Sequence, residues 1–68
     1  MVHVAIVGAG FMGKTHLTAY QSMDNAKVVA VCDVNEQQGR ALAEEAGCPW
    51  YAGGEEMLSQ AGIDVVDI

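Results

Sequence analysis

The chain predicts an α/β fold built on a doubly wound parallel sheet, and three observations carry that prediction. The almost unbroken apolar run Val2-His3-Val4-Ala5-Ile6-Val7 opens at once onto Gly8-Ala9-Gly10-Phe11-Met12-Gly13, a G-x-G-x-x-G turn. An amphipathic helical pattern follows that turn. A second apolar run then ends in Asp33, about 20 residues beyond Gly13. Glycine-rich hexamers arise by chance, so each piece alone is weak. Strand, turn, helix, strand and acidic terminus in this order form the dinucleotide-binding fingerprint of a Rossmann fold. A glycine-rich turn in some other α/β protein accounts for the order and spacing less well.

The elements follow in order. Residues 2–7 are apolar nearly throughout, which suits a parallel strand covered on both faces. Between residues 11 and 23, Gly13, His16, Leu17, Tyr20 and Met23 fall on one helical stripe, leaving Lys14, Thr18 and Gln21 for solvent. Asp24-Asn25 signals a turn. Residues 28–32, Val-Val-Ala-Val-Cys, are β-branched and apolar, a second buried strand. Asn35 caps a second helix, with Gln38 three residues on in a capping-box pattern. Ala41, Leu42, Glu45 and Ala46 carry that helix to Gly47, a natural C′ residue, and Pro49 bars its continuation. Gly39 inside it is expected to weaken it by about 1 kcal/mol relative to alanine.

Trp50-Tyr51 reads as a short extended piece and Gly53-Gly54 as a turn. Residues 55–60 form a brief helix with Glu55 and Glu56 in its first turn, where the dipole favours acids. Residues 63–68 are a third strand. The order is βαβαβ, one half of a Rossmann doubly wound parallel sheet with strand order 3-2-1.

Size and charge narrow the functions open to the chain. Sixty-eight residues make one small unit with a marginal core. A net charge of −6, with Lys14, Lys27 and Arg40 scattered, argues against a nucleic-acid surface. Cys32 and Cys48 are too few and too distant for a metal site, and their number fits a reducing, cytoplasmic setting. The apolar N-terminus lacks the charged start of a secretory signal. No stretch approaches the roughly 20 apolar residues that span a bilayer.

Each glycine of the turn has a task. Gly8 permits the tight exit from the first strand, Gly10 allows close backbone approach to a pyrophosphate, and Gly13 packs the helix against the sheet. The N–H groups of the first helical turn, at Phe11 and Met12, are unpaired and lie at the positive helix end, so they can hold phosphate. The Phe11 and Met12 side chains are expected to pack. Asp33 can accept hydrogen bonds from an adenosine ribose. A 2′-phosphate would meet its charge repulsively, and no Arg or Lys stands at 34–38 to offset that, so NAD is preferred over NADP. The candidate cofactor residues are Gly8, Gly10, Phe11, Met12, Gly13 and Asp33; no catalytic and no metal-binding residue is assigned.

Other residues have a bland and a sharp reading. His16 could be an acid or base, but on the apolar stripe it is expected to be a packed, hydrogen-bonded histidine. His3 reads as a partly exposed strand residue. Asp64 and Asp67, three apart in a strand, should point to opposite faces and share no catalytic role. Glu36, Glu44, Glu45, Glu55 and Glu56 read as solvated helix surface. Trp50 and Tyr51 could stack on an adenine, but covering the sheet edge is the expected use.

The segments VAIVGAGFMGKTHL, VVAVCDVNEQQGRALAEEAG and IDVVDI together resemble the N-terminal part of the Gfo/Idh/MocA oxidoreductases, the glucose–fructose oxidoreductase and inositol dehydrogenase family. The match is carried by His16 after the third glycine, the D-x-N step at Asp33 to Asn35, and the LAEE-x-G helix ending. The resemblance implies an NAD(P)-dependent dehydrogenase acting on a hydroxyl of a sugar, inositol or related polyol. It implies that residues 1–68 are the N-terminal half of a dinucleotide-binding domain, with the rest of that domain and a C-terminal substrate domain outside them. The family's T-P segment, E-K-P lysine and D-x-x-x-H pair have no counterpart in 1–68, so no catalytic position carries over and the chain alone is expected to be inactive.

Two other readings stay open. An FAD-binding segment would use the same turn, although flavoproteins usually end the second strand in Glu, and Asp33 with Lys14-Thr15-His16 counts against it. A half-fold could instead self-associate without being an enzyme. With strand order 3-2-1, the first strand has a free apolar edge, and a homo-oligomer through that edge is expected.

Overall fold

The computed structural model describes residues 1–8, 10–60 and 62–68, the side chains of Phe11 and Gln60 lying outside the described set. The elements run β1 (Val2–Val7), α1 (Phe11–Gln21), β2 (Ala26–Cys32), α2 (Glu36–Ala46), β3 (Trp50–Tyr51), α3 (Gly54–Gln60) and β4 (Val65–Asp67). All strand pairs are parallel, in the order β3-β2-β1-β4. The α/β class and the 3-2-1 order therefore hold, with one reassignment. The third strand is the two-residue Trp50–Tyr51 piece beside β2, while the strand expected third is a fourth and lies beside β1.

Handedness explains the placement. Right-handed crossovers that step from β1 to β2 to β3 keep their helices on one face; stepping back past β1 requires a helix on the other. The core divides accordingly. Ile6, Leu17, Val28, Val31, Leu42 and Ala43 pack where α1 and α2 cover the sheet. Ala5, Ala30, Cys32 and Met57 pack on the opposite face under α3.

β1 is thus an interior strand, hydrogen-bonded to β2 and β4. This corrects the expectation of a homo-oligomer built through a free β1 edge, because β4 already satisfies that edge. β4 and β3 are the outer strands.

The β1–β2 register slips once. Val4 pairs with Val28 but Ala5 with Ala30, so β2 carries an extra residue at Val29. Such a bulge reverses the two-residue alternation. Val28 and Val31, three apart, consequently share a core, and Ala30 faces the other one.

The local signals of α2 are realised. Asn35 Oδ1 accepts the Gln38 amide at 3.0 Å, and Gly47 ends the helix in the left-handed region at φ 70°. Helix α1 stops earlier than its apolar stripe suggests, at Gln21 with Ser22 as its C-cap, so Met23 lies outside it and is exposed. The five glutamates expected at the surface are all exposed. No helix among the described residues is long and apolar enough to cross a membrane.

Candidate functional site

The carboxyl ends of the parallel strands come together at one rim of the sheet, the position where open α/β sheets bind ligands. Gly8 leaves β1 with φ 93°, a conformation that side-chain-bearing residues avoid. Its amide donates to the Cys32 carbonyl at 2.8 Å, which sets the start of the glycine turn directly beside the residue after Cys32, namely Asp33. The glycine turn and Asp33, distant in sequence, are thus neighbours.

Gly13 closes the other side of the turn. A Cβ at this position would run into the Gly8 carbonyl oxygen, so the first turn of α1 rests against the backbone leaving β1. Gly10 is the N-cap of α1 and supplies no side-chain hydrogen bond, and no acidic residue stands in the first turn. The Lys14 amide donates to the Gly10 carbonyl at 3.2 Å, the first bond of the helix. The N–H groups ahead of it, at Phe11, Met12 and Gly13, are the helix-start donors that intrahelical bonds leave unmatched. Space around Gly10 is open, with no atom within 4 Å of where a Cβ would sit. Met12 is exposed and not packed, a correction to the expected packing of its side chain; the Phe11 side chain lies outside the described residues.

Asp33 is half-buried and follows β2 directly. Its Oδ1 accepts the Asn35 amide at 2.9 Å. Its own amide donates to the Tyr51 carbonyl at 3.2 Å, and its carbonyl accepts the Trp50 indole Nε1–H at 3.2 Å. Arg40, the next cation along the chain, is held by Glu36 at 2.7 Å with its guanidinium 4.7 Å from the Trp50 ring centroid.

A cleft of about 560 Å³ between α1 and α2 begins at Gly10 and runs outward past Lys14, Thr18, Ala41 and Glu45. Gly8 and Asp33 do not line it. The Lys14–Glu45 ion pair, 3.5 Å and well exposed, spans it.

Sequence reading missed a second cluster, between α1 and the end of β4. Asp67, at the end of β4, lies 3.0 Å from His16 Nδ1 through Oδ1 and accepts the Tyr20 hydroxyl at 2.7 Å through Oδ2. That hydrogen bond, reinforced by burial and the carboxylate charge, pushes the Tyr20 phenol above its ordinary value. His16 is therefore a partly exposed histidine set against a carboxylate. Asp64, by contrast, lies before β4 and accepts the His3 amide at 2.9 Å. The two aspartates serve separate contacts. The signal that could have found the cluster is the shared stripe of His16 and Tyr20, two polar-tipped side chains one turn apart on the sheet-facing side of α1.

Cys32 and Cys48 are unpaired, and burial pushes both thiols up, with the Asp33 charge adding to the effect at Cys32. Among the described residues no cluster of His, Cys, Asp and Glu could hold a metal ion.

The chain matches the GFO_IDH_MocA family, described as an oxidoreductase family with an NAD-binding Rossmann fold, over residues 2–68. It is 40% identical over 68 residues to inositol 2-dehydrogenase 1 of Saccharopolyspora erythraea, covering 96% of this chain and 20% of that protein. It is 37% identical over 65 residues to D-apiose dehydrogenase of Paraburkholderia graminis, covering 94% of this chain and 17% of that one. Among solved structures, GenD2 from gentamicin A biosynthesis, in complex with NAD, superposes with a TM-score of 0.90 at 29% identity, over 96% of this chain and 19% of GenD2. The chain thus spans about a fifth of the length of the proteins it matches.

Proposed function

The chain belongs to the Gfo/Idh/MocA family of NAD-binding Rossmann-fold oxidoreductases, and from that premise we propose that its rim holds the ADP-ribose half of NAD in a dehydrogenase of polyols or sugars. In this reading residues 1–68 are the N-terminal half of a dinucleotide-binding domain. The observation that carries it is the Gly8–Cys32 hydrogen bond, which brings the glycine turn leading into α1 beside the residue that follows Cys32, Asp33.

In this reading each residue of the turn has a role. Gly8 and Gly13 shape the turn, and Gly10 leaves room for the pyrophosphate. The backbone N–H groups at Phe11, Met12 and Gly13 donate to the phosphate oxygens, helped by the positive end of α1. Asp33 accepts from the ribose hydroxyls. A 2′-phosphate would face that carboxylate, and Arg40, the next cation along the chain, is engaged by Glu36 and Trp50. NAD is accordingly favoured over NADP.

When bound, the nicotinamide supplies the hydride acceptor; residues 1–68 bind and orient, and the side chains that move protons lie elsewhere in the enzyme. A substrate hydroxyl on inositol, a sugar or a related polyol fits the inositol and D-apiose dehydrogenases among the relatives. Two unpaired cysteines with raised thiols accord with a reducing, cytoplasmic location.

Calorimetric titration with NAD and NADP tests the reading. We expect NAD to bind more tightly; equal binding, or a preference for NADP, would overturn the assignment of Asp33 to the ribose.

A further inference from the structure

The carboxylate that the proposed function gives to the ribose does not aim itself. Asp33 lies just beyond the last residue of β2, where the β2–β3 ladder ends in the bond from its amide to the Tyr51 carbonyl. Among its interactions, three hydrogen bonds fix its backbone and carboxylate. The Asn35 amide holds Oδ1, the Tyr51 carbonyl holds the Asp33 amide, and the Trp50 indole N–H holds the Asp33 carbonyl. Two of the three come from β3, a strand only two residues long.

The indole reaches this place because α2 leaves it a gap. Gly39 is buried within α2, where a glycine is intrinsically unfavourable. A Cβ at Gly39 would fall on the indole Nε1 and Cδ1 and would stand 3.0 Å from Asp33 Cβ. The expected weakness of α2 is therefore the opening that admits Trp50. Arg40, set by Glu36, lies over the same ring.

We propose that Trp50, seated in the gap left by Gly39, is a positioning residue that sets the ribose selectivity of Asp33. Its N–H fixes the carbonyl of Asp33 and hence the peptide to residue 34, so the carboxylate keeps one orientation toward the rim. The proposal rests on the cofactor reading above and adds a residue to it. A merely structural Trp50 would hold β3 to the sheet and act on every ligand of the turn alike, since the phosphate donors belong to α1. A positioning Trp50 acts on the ribose end alone.

The test is Trp50→Phe, which keeps an aromatic ring but removes the donor. Titration with NAD and NADP should show NAD binding weakened about three- to tenfold, the scale of one hydrogen bond, with NADP affinity changed far less. The NADP-to-NAD ratio of dissociation constants then falls toward one. Equal weakening of both cofactors, or no change in a folded variant, overturns the proposal while leaving the cofactor reading intact. Failure of the unaltered chain to bind NAD is a different result and overturns both. If Trp50→Phe does not fold, the unaltered chain decides by nuclear magnetic resonance, because Trp50 is its one tryptophan. Saturating NAD should shift the indole N–H resonance more than NADP does, and a resonance indifferent to NAD overturns the proposal.

Discussion

The Tyr20 hydroxyl donates to Asp67 Oδ2 at 2.7 Å, joining the third turn of α1 to the last residue of β4. His16, one turn earlier, meets the other oxygen of the same carboxylate at 3.0 Å. The helix that begins at the glycine turn is thereby tied to the outermost strand, whose three residues have only β1 as a ladder partner.

Tyr20→Phe should lower stability by about 1 kcal/mol, the net contribution of a partly buried hydrogen bond. Asp67→Ala should cost more, since it also strips His16 of its partner. Because the phenol is raised above its ordinary 10.0, its contribution is complete below that pH and is lost as pH climbs through the raised value. Urea denaturation of the unaltered chain and Tyr20→Phe at about pH 8 and about pH 11 checks this. The stability gap between them should close at the higher pH; a constant gap would contradict the assignment.

Asp33→Ala is expected to weaken NAD binding about tenfold, the cost of losing charged hydrogen bonds to the ribose. NADP binding should weaken less or improve, because the repulsion toward a 2′-phosphate goes with the carboxylate. Calorimetry on both cofactors measures it, and unchanged affinity for both would remove Asp33 from the site.

Gly13→Ala sets two effects against each other. Alanine favours the helix by about 1 kcal/mol, but its Cβ would collide with the Gly8 carbonyl oxygen, a backbone atom with little room to yield. Overpacking of this kind costs about 1–3 kcal/mol, so net destabilisation is expected, together with weaker NAD binding from the distorted turn. A stabilised variant in thermal denaturation would show that the turn yields freely.

Thiol labelling should distinguish the two cysteines. Burial raises both, so reaction with a disulfide reagent at neutral pH is slow and accelerates as pH rises. Cys48, half-buried, should react first, and Cys32, buried between β2 and α3, only when the chain opens. Rapid labelling of Cys32 in the folded chain would contradict this packing.

Features specified by neighbours in sequence are legible from the residues alone. β1 has the same bounds by pattern and by geometry, and the Asn35 cap, the Gly47 stop and the glycine turn stand where local chemistry puts them. These depend on φ angles, caps and periodicity, which a few adjacent residues decide. Family membership is legible for the same reason, since motif and spacing lie along the chain.

Tertiary structure decided what distant residues share. Trp50–Tyr51 became the third strand although two residues carry no periodicity, and β4 fell beside β1 because Met57 takes α3 to the opposite face. The bulge at Val29 reversed the alternation that a regular strand would keep. Gly39, a defect when its helix is considered alone, is the opening for an indole that holds Asp33. The sequence by itself determined β1, the glycine turn and the caps of α2, through local geometry. Packing across the sheet determined which strands meet and which side chains aim the site, because those contacts exist only once the layers close.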